Sequence, residues 1–104
     1  SLDHANKMKV FNNQLRLLKE KYLERNIHFT VGHQFTIDLK LINYCITLKN
    51  QNKIKDVILL EDYDLPVRID DLESFYDNIM DLYQQNLNAY IVEYNKLVQD
   101  KGRI

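Results

Sequence analysis

The sequence predicts a small α+β domain with the order helix–hairpin–helix–hairpin–helix, a small antiparallel sheet and two long outer helices. Near both ends of the chain, apolar residues recur every three or four positions, which is the spacing of amphipathic helices. Between these ends lie two segments of alternating apolar residues, each followed by an aspartate that begins another helical pattern. This repeated layout is typical of β-hairpins that lead into capped helices.

The first helix is predicted over residues 3–25. Its apolar stripe recurs at intervals of three and four and consists of Met8, Phe11, Leu15, Leu18 and Tyr22. Asn26 follows directly, and asparagine tolerates the left-handed conformation that ends many helices. We therefore expect the helix to stop at this residue.

The first hairpin is predicted over residues 27–37, and the length of its loop decides which side chains are buried. A two-residue loop of Gly32 and His33 would divide the apolar residues between the two faces. A three-residue loop over 32–34 places Val31 opposite Phe35 and keeps the apolar set together. We favour the three-residue loop. The residues then expected on the buried face are Ile27, Phe29, Val31, Phe35 and Ile37.

The second helix is predicted over residues 38–50, with Asp38 as its N-cap. Its apolar residues cover most of the circumference, and only Lys40, Asn43 and Thr47 form a polar stripe. A helix that is apolar on nearly all sides is central in a fold or lies in an interface.

The second hairpin is predicted over residues 56–69. The continuous apolar run 57–60 indicates an inner strand, whereas Pro66 lacks a donor and indicates an edge strand. Asp70 or Asp71 is then expected to cap a long last helix over residues 70–99. We expect the two hairpins to form one sheet covered by the second helix, with the outer helices packed together.

Composition limits the classes of function. A chain of 104 residues fits one domain, predicted here over residues 1–104. The net charge of −1 provides no general attraction to nucleic acid. No apolar run approaches the roughly 20 residues that cross a bilayer. We therefore expect neither nucleic acid nor membrane as a partner.

No catalytic or metal-binding set is predicted. The candidates for nucleophilic chemistry are Cys45, His4, His28 and His33. Cys45 lies in an apolar run and is expected in the core, while His28 is expected to face Asp38 on the polar side of the hairpin. The segment 61–64 lacks the glycine and the final glutamate of a calcium loop and is predicted to be a solvated hairpin tip. We therefore expect a non-enzymatic protein without cofactor or metal.

Tyrosines are the strongest candidates for a binding surface. They recur on the outer helices, and tyrosine favours interfaces because its ring is apolar and its tip polar. The candidate interface residues are Tyr22, Tyr76, Tyr83, Tyr90 and Tyr94. The first helix is mainly basic and the start of the last helix mainly acidic, which suits pairing within one chain or between copies. The alternatives are a homo-oligomer and a monomer whose outer helices cover each other.

Two short segments, 31–38 (VGHQFTID) and 62–69 (DYDLPVRI), precede the long helix predicted from Asp70. In these segments and their order the chain resembles an uncharacterised domain family of bacteriophage tail-fibre and tail-associated proteins. The sequence departs from the family pattern in having no tryptophan and in placing Ile37 between Thr36 and Asp38.

The resemblance implies a non-catalytic structural or interaction module of a phage or prophage virion. Its partners would be protein, either further copies of itself or a neighbouring tail protein. Its location would be the virion, or the host cytoplasm during assembly. The alternative function is a small cytosolic binding or regulatory protein, such as a phage-encoded inhibitor.

Overall fold

The computed structural model describes residues 2–102, and the side chains of residues 2–100. Three helices alternate with two antiparallel hairpins, which confirms the predicted α+β class. The elements are α1 (Leu2–Arg25), β1 (Ile27–Thr30), β2 (His33–Thr36), α2 (Leu39–Asn50), β3 (Lys55–Leu60), β4 (Pro66–Asp71) and α3 (Leu72–Gly102).

The chain divides into two compact units, a hairpin unit over Asn26–Gln84 and a helical unit formed by Ser1–Arg25 with Gln85–Ile104. The hairpin unit contains both hairpins, α2 and the first part of α3. The helical unit contains α1 and the second part of α3.

The hairpin unit has a dense apolar core. Phe35 and Phe75 meet edge to face at its centre, with ring centroids 5.2 Å apart. Leu72, Ile79 and Cys45 have no exposed surface. The remaining buried members are Ile37, Ile42, Leu48, Leu59, Val67 and Ile69.

Aspartates cap two of the helices at the predicted places. The Asp38 carboxylate accepts the N–H of Leu41 at 2.8 Å, which satisfies a free donor at the start of α2. At the start of α3 the cap is Asp71, whose carboxylate accepts from the N–H of Glu73 and from the N–H and hydroxyl of Ser74.

The prediction of one sheet was wrong, because the hairpins form two separate two-stranded sheets, β1–β2 and β3–β4. The predicted inner strand, β3, consequently has no neighbour on its other side. Only Leu59 of that strand is buried, whereas Ile58 and Leu60 are 50% and 63% exposed.

The predicted register of the first hairpin was also wrong. His28 lies opposite Phe35, and the loop is the two-residue Val31–Gly32 turn. Both turn residues have positive φ, 49° and 77°, which is the type I′ geometry that matches the twist of antiparallel strands. Phe29 and Val31 are therefore 68% and 89% exposed. The turn holds Val31 at a positive φ that β-branched residues rarely adopt, whereas the predicted loop had been chosen to keep the apolar residues on one face.

The predicted end of α1 at Asn26 is confirmed. Asn26 does not adopt the left-handed conformation expected there; it is buried, and its carbonyl accepts the N–H of Ile37 at 2.7 Å. Helix α2, predicted to be central or to lie in an interface, packs one face into the core and leaves other apolar residues exposed. Its buried face is Ile42, Cys45 and Leu48, while Leu39 and Tyr44 are 62% and 49% exposed.

Candidate interaction surfaces

In the loop after β3, residues 62–64 are exposed, as predicted for a solvated tip, but Glu61 is buried and lies against His33 of the other hairpin. Glu61 is only 4% exposed. Its Oε1 accepts the N–H of Tyr63 at 2.7 Å and of Leu65 at 3.1 Å. Its Oε2 lies 3.9 Å from His33 Nδ1, an ion pair when the imidazole is protonated. The Glu61 carboxylate therefore holds the loop in its conformation by accepting two of the loop's backbone N–H groups.

Asp62 of the same loop binds the free edge of β2. Its N–H donates to the carbonyl of Gln34 at 2.9 Å, and its carboxylate accepts from Thr36 N–H at 2.8 Å. The Thr36 hydroxyl and the Gln34 amide donate to the same carboxylate. Partial burial opposes ionisation of Asp62, but these hydrogen bonds outweigh it and lower the pKa of the carboxyl. The contact covers backbone groups that would otherwise be available to another strand.

A groove of about 430 Å³ lies beside these contacts in the hairpin unit. Leu41 and Tyr44 of α2 line one part, and Ile58 and Leu60 of β3 line another. The acidic side chains around it are Asp38, Glu61, Asp62 and Asp64. The groove combines exposed apolar side chains with carboxylates, a composition suited to contact with protein.

The helical unit is an antiparallel pair. Tyr22 of α1 meets Tyr90 of α3 edge to face with centroids 5.2 Å apart, and Lys21 reaches Glu93 at 3.3 Å. Near the end of α1, the Asn86 amide donates to the Arg25 carbonyl at 2.9 Å. The expected packing of the outer helices is confirmed within this unit.

Opposite charges meet between these helices. Glu93 lies 3.3 Å from Lys21 Nζ and 3.5 Å from Arg25 Nη2. The hydrogen bond from Lys21, together with the positive charges of Lys21 and Arg25, lowers the pKa of Glu93. The charge pairing expected from the sequence therefore occurs within one chain at this point.

The five candidate tyrosines divide between the two units. Tyr22, Tyr90 and Tyr94 cluster in the helical unit, where the last two stack with centroids 6.4 Å apart and planes at 8°. Tyr83 packs against the core of the hairpin unit. Tyr76 does so too, and the Lys49 ammonium lies 4.2 Å from the centre of its ring. All five are half-buried. An interface role for them stays a prediction.

Three of the candidates for nucleophilic chemistry lie in the hairpin unit, each with different neighbours, and His4 lies in the helical unit. Cys45 lies in the core, and His33 faces Glu61. The prediction that His28 faces Asp38 was wrong, because the corrected register turns its ring toward Phe75, with centroids 5.8 Å apart. His4 lies on exposed α1 surface. Within residues 2–102 no group of three His, Cys, Asp or Glu side chains is placed to hold a metal ion.

Burial raises the pKa of the Cys45 thiol from 9.0 to about 11, although the charge of Lys49 opposes this. A maleimide reacts with the thiolate, and two pKa units reduce the thiolate fraction about 100-fold. We expect labelling of the folded chain at pH 7 to be at least about 100-fold slower than labelling in denaturant. Mass spectrometry of timed samples measures both rates, and similar rates would contradict the burial of this thiol.

None of the helices in the described part of the chain is both long enough and apolar enough to cross a bilayer. A scan against protein-family models and searches of curated proteins and of solved structures found no match.

Sequence reasoning missed the contacts of Glu61 and Asp62. Both side chains contact residues of β2, which lie about 28 residues earlier in the chain, so no local pattern indicated them.

Proposed function

We propose that this chain is a non-catalytic protein–protein interaction module of a phage or prophage virion. The observation that carries the proposal is the amount of apolar surface left uncovered. Among the described residues, sixteen large apolar side chains are between 37% and 89% exposed. They occur in both units, for example Leu23 and Ile91 in the helical unit and Leu39 and Leu60 in the hairpin unit.

Where exposed apolar side chains adjoin, as Tyr44, Ile58 and Leu60 do along one groove of the hairpin unit, they form a patch that favours association. Two of the sixteen are tyrosines, Tyr44 and Tyr63, which are 49% and 70% exposed, and tyrosine is enriched in interfaces. The resemblance of residues 31–38 and 62–69 to tail-associated proteins supports a virion as the place of that contact. A neighbouring tail protein or another copy of the chain would then cover these side chains.

Purification of particles tests the proposal. Phage released from the strain that encodes this chain are banded in a density gradient, and the particle fraction is probed with an antibody raised against residues 1–104. We expect the chain to co-sediment with tailed particles and to withstand a high-salt wash. If it stays with cytosolic proteins and is missing from the particles, the virion role is wrong and a small cytosolic binding protein is favoured.

A further inference from the structure

The helical unit has almost no buried core. Among its described side chains only Leu18 and Asn86 are buried, each 7% exposed. The hairpin unit, by comparison, buries eleven apolar side chains in one cluster. Two helices have a single line of contact and cannot enclose a core, so a pair of this kind is stabilised by further helices packed against it.

One side of the helix pair carries its ion pairs. Here Lys21 and Arg25 pair with Glu93, and Lys96 lies beside them in a groove that also contains Leu17, Leu18 and Leu97. Docking on this side would remove water from at least four charged groups, which is costly unless each gains a new partner.

The other side is apolar. A groove of about 280 Å³ lies there, lined by Lys19, Tyr22, Leu23, Leu87 and Tyr90. From Leu87 the same face of α3 continues at intervals of four and three residues, which places its next members on one line. We call this surface the apolar face; its residues are Tyr22, Leu23, Leu87, Tyr90, Ile91, Tyr94 and Val98.

The apolar face exposes large side chains but contains no carboxylate. Leu23 is 62%, Ile91 49% and Val98 42% exposed. Lys19 is the charged residue of the groove, and its long aliphatic stem allows the ammonium to reach water at the edge of a contact. Covering this face would therefore remove much apolar surface from water at little electrostatic cost.

The size of the face suits a small specific dimer. The part of α3 in the helical unit, residues 85–102, is 18 residues long, or about 27 Å at 1.5 Å per residue. Two adjacent helices are about 20 Å wide, so one copy presents roughly 500 Å² of face. Two copies together would bury about 1,000 Å², which is about the minimum area of a specific interface.

We propose that a second copy of this chain docks on the apolar face, so that two helical units form a four-helix bundle about a twofold axis. The proposal rests on the proposed function and specifies the partner for this one surface. A twofold arrangement places the same residues of both copies against each other, and it is the commonest symmetry of protein dimers. Because the face carries no acid, the two copies bring no carboxylates together.

Sedimentation equilibrium of the full chain tests the proposal, with a matched pair of variants. Ile91→Asp places a charge in the apolar face. Val92→Asp places the same charge on the neighbouring residue, which is 54% exposed and turned by about 100° around the helix. We expect twice the 12.5 kDa mass of one chain for the unmodified protein at tens of micromolar.

Ile91→Asp is expected to raise the dimer Kd by at least about 30-fold, whereas Val92→Asp leaves it within about threefold. Circular dichroism confirms that both variants keep the helix content of the unmodified chain. If Ile91→Asp does not fold, Leu23→Asp on α1 replaces it, with Val10→Asp as its control.

A mass of one chain up to hundreds of micromolar would overturn the dimer. Equal weakening by Ile91→Asp and Val92→Asp would overturn the assignment to this face. A monomer that is still found in purified particles would contradict this inference alone, whereas a dimer that is absent from particles would contradict only the virion role.

Discussion

Replacing Phe35 by alanine is expected to lower the free energy of unfolding by about 3–5 kcal/mol. Phe35 is 2% exposed, and its ring packs against Phe75 in the centre of the hairpin unit. Removing the ring loses its transfer free energy and leaves a cavity that the surrounding side chains cannot fill completely. The loss is comparable with the whole stability of many small domains, which is about 5–15 kcal/mol.

Phe29→Ala is the matched control, because it removes the same ring from the other strand of the same hairpin. Phe29 is 68% exposed, so its removal is expected to change the stability by no more than about 0.5 kcal/mol. Urea unfolding followed by circular dichroism measures both differences. The favoured sequence prediction put both rings on one buried face, so equal effects would support that register and contradict the observed one.

Replacing Glu61 by alanine is expected to lower the free energy of unfolding by about 2–4 kcal/mol. The substitution removes the acceptor of the Tyr63 and Leu65 N–H groups and the partner of His33. Hydrogen bonds to a charged acceptor are stronger than those between neutral groups, and the two donors lie in partly buried hydrogen bonds, where leaving them unpaired is costly.

Glu61→Gln keeps an oxygen at the same position. Its free energy of unfolding is expected to fall by about half as much as that of Glu61→Ala. Asp77→Ala removes a carboxylate from an exposed position on α3 and controls for the change in net charge. Unfolding in urea at one pH ranks the three variants. If Glu61→Ala and Asp77→Ala were equally stable, water would have replaced the acceptor and the loop would not depend on this carboxylate.

The local interactions of this fold were predictable from the sequence. The stripe of Leu15, Leu18 and Tyr22 predicted α1, and a similar stripe predicted α3, because an apolar face recurs with the period of the helix. Asp38 and the Asp70–Asp71 pair predicted where two helices begin, since a cap acts on N–H groups only three residues away. The burial of Cys45 followed from the apolar run around it.

Contacts between distant residues were not predictable in this way. The register of β1 and β2 depends on a turn that holds Val31 at positive φ, and the twist of the strands outweighs the preference of this residue. Pairing of the two hairpins into one sheet was expected, but Asp62 occupies the edge of β2 with its carboxylate. Glu61 was predicted to be solvated because its buried donors are visible only once the loop is folded.

The candidate tyrosine surface shows the same difference between what local spacing predicts and what contacts between distant residues decide. The sequence by itself determined that tyrosines recur on the outer helices and that those helices carry opposite charges, because both depend on spacing along one helix. Only the tertiary structure decided that Tyr22, Tyr90 and Tyr94 cluster in the helical unit while Tyr76 and Tyr83 pack on the hairpin core. It also decided which side of the helix pair carries the ion pairs to Glu93 and which stays apolar, because the angle at which two helices meet depends on side chains from both.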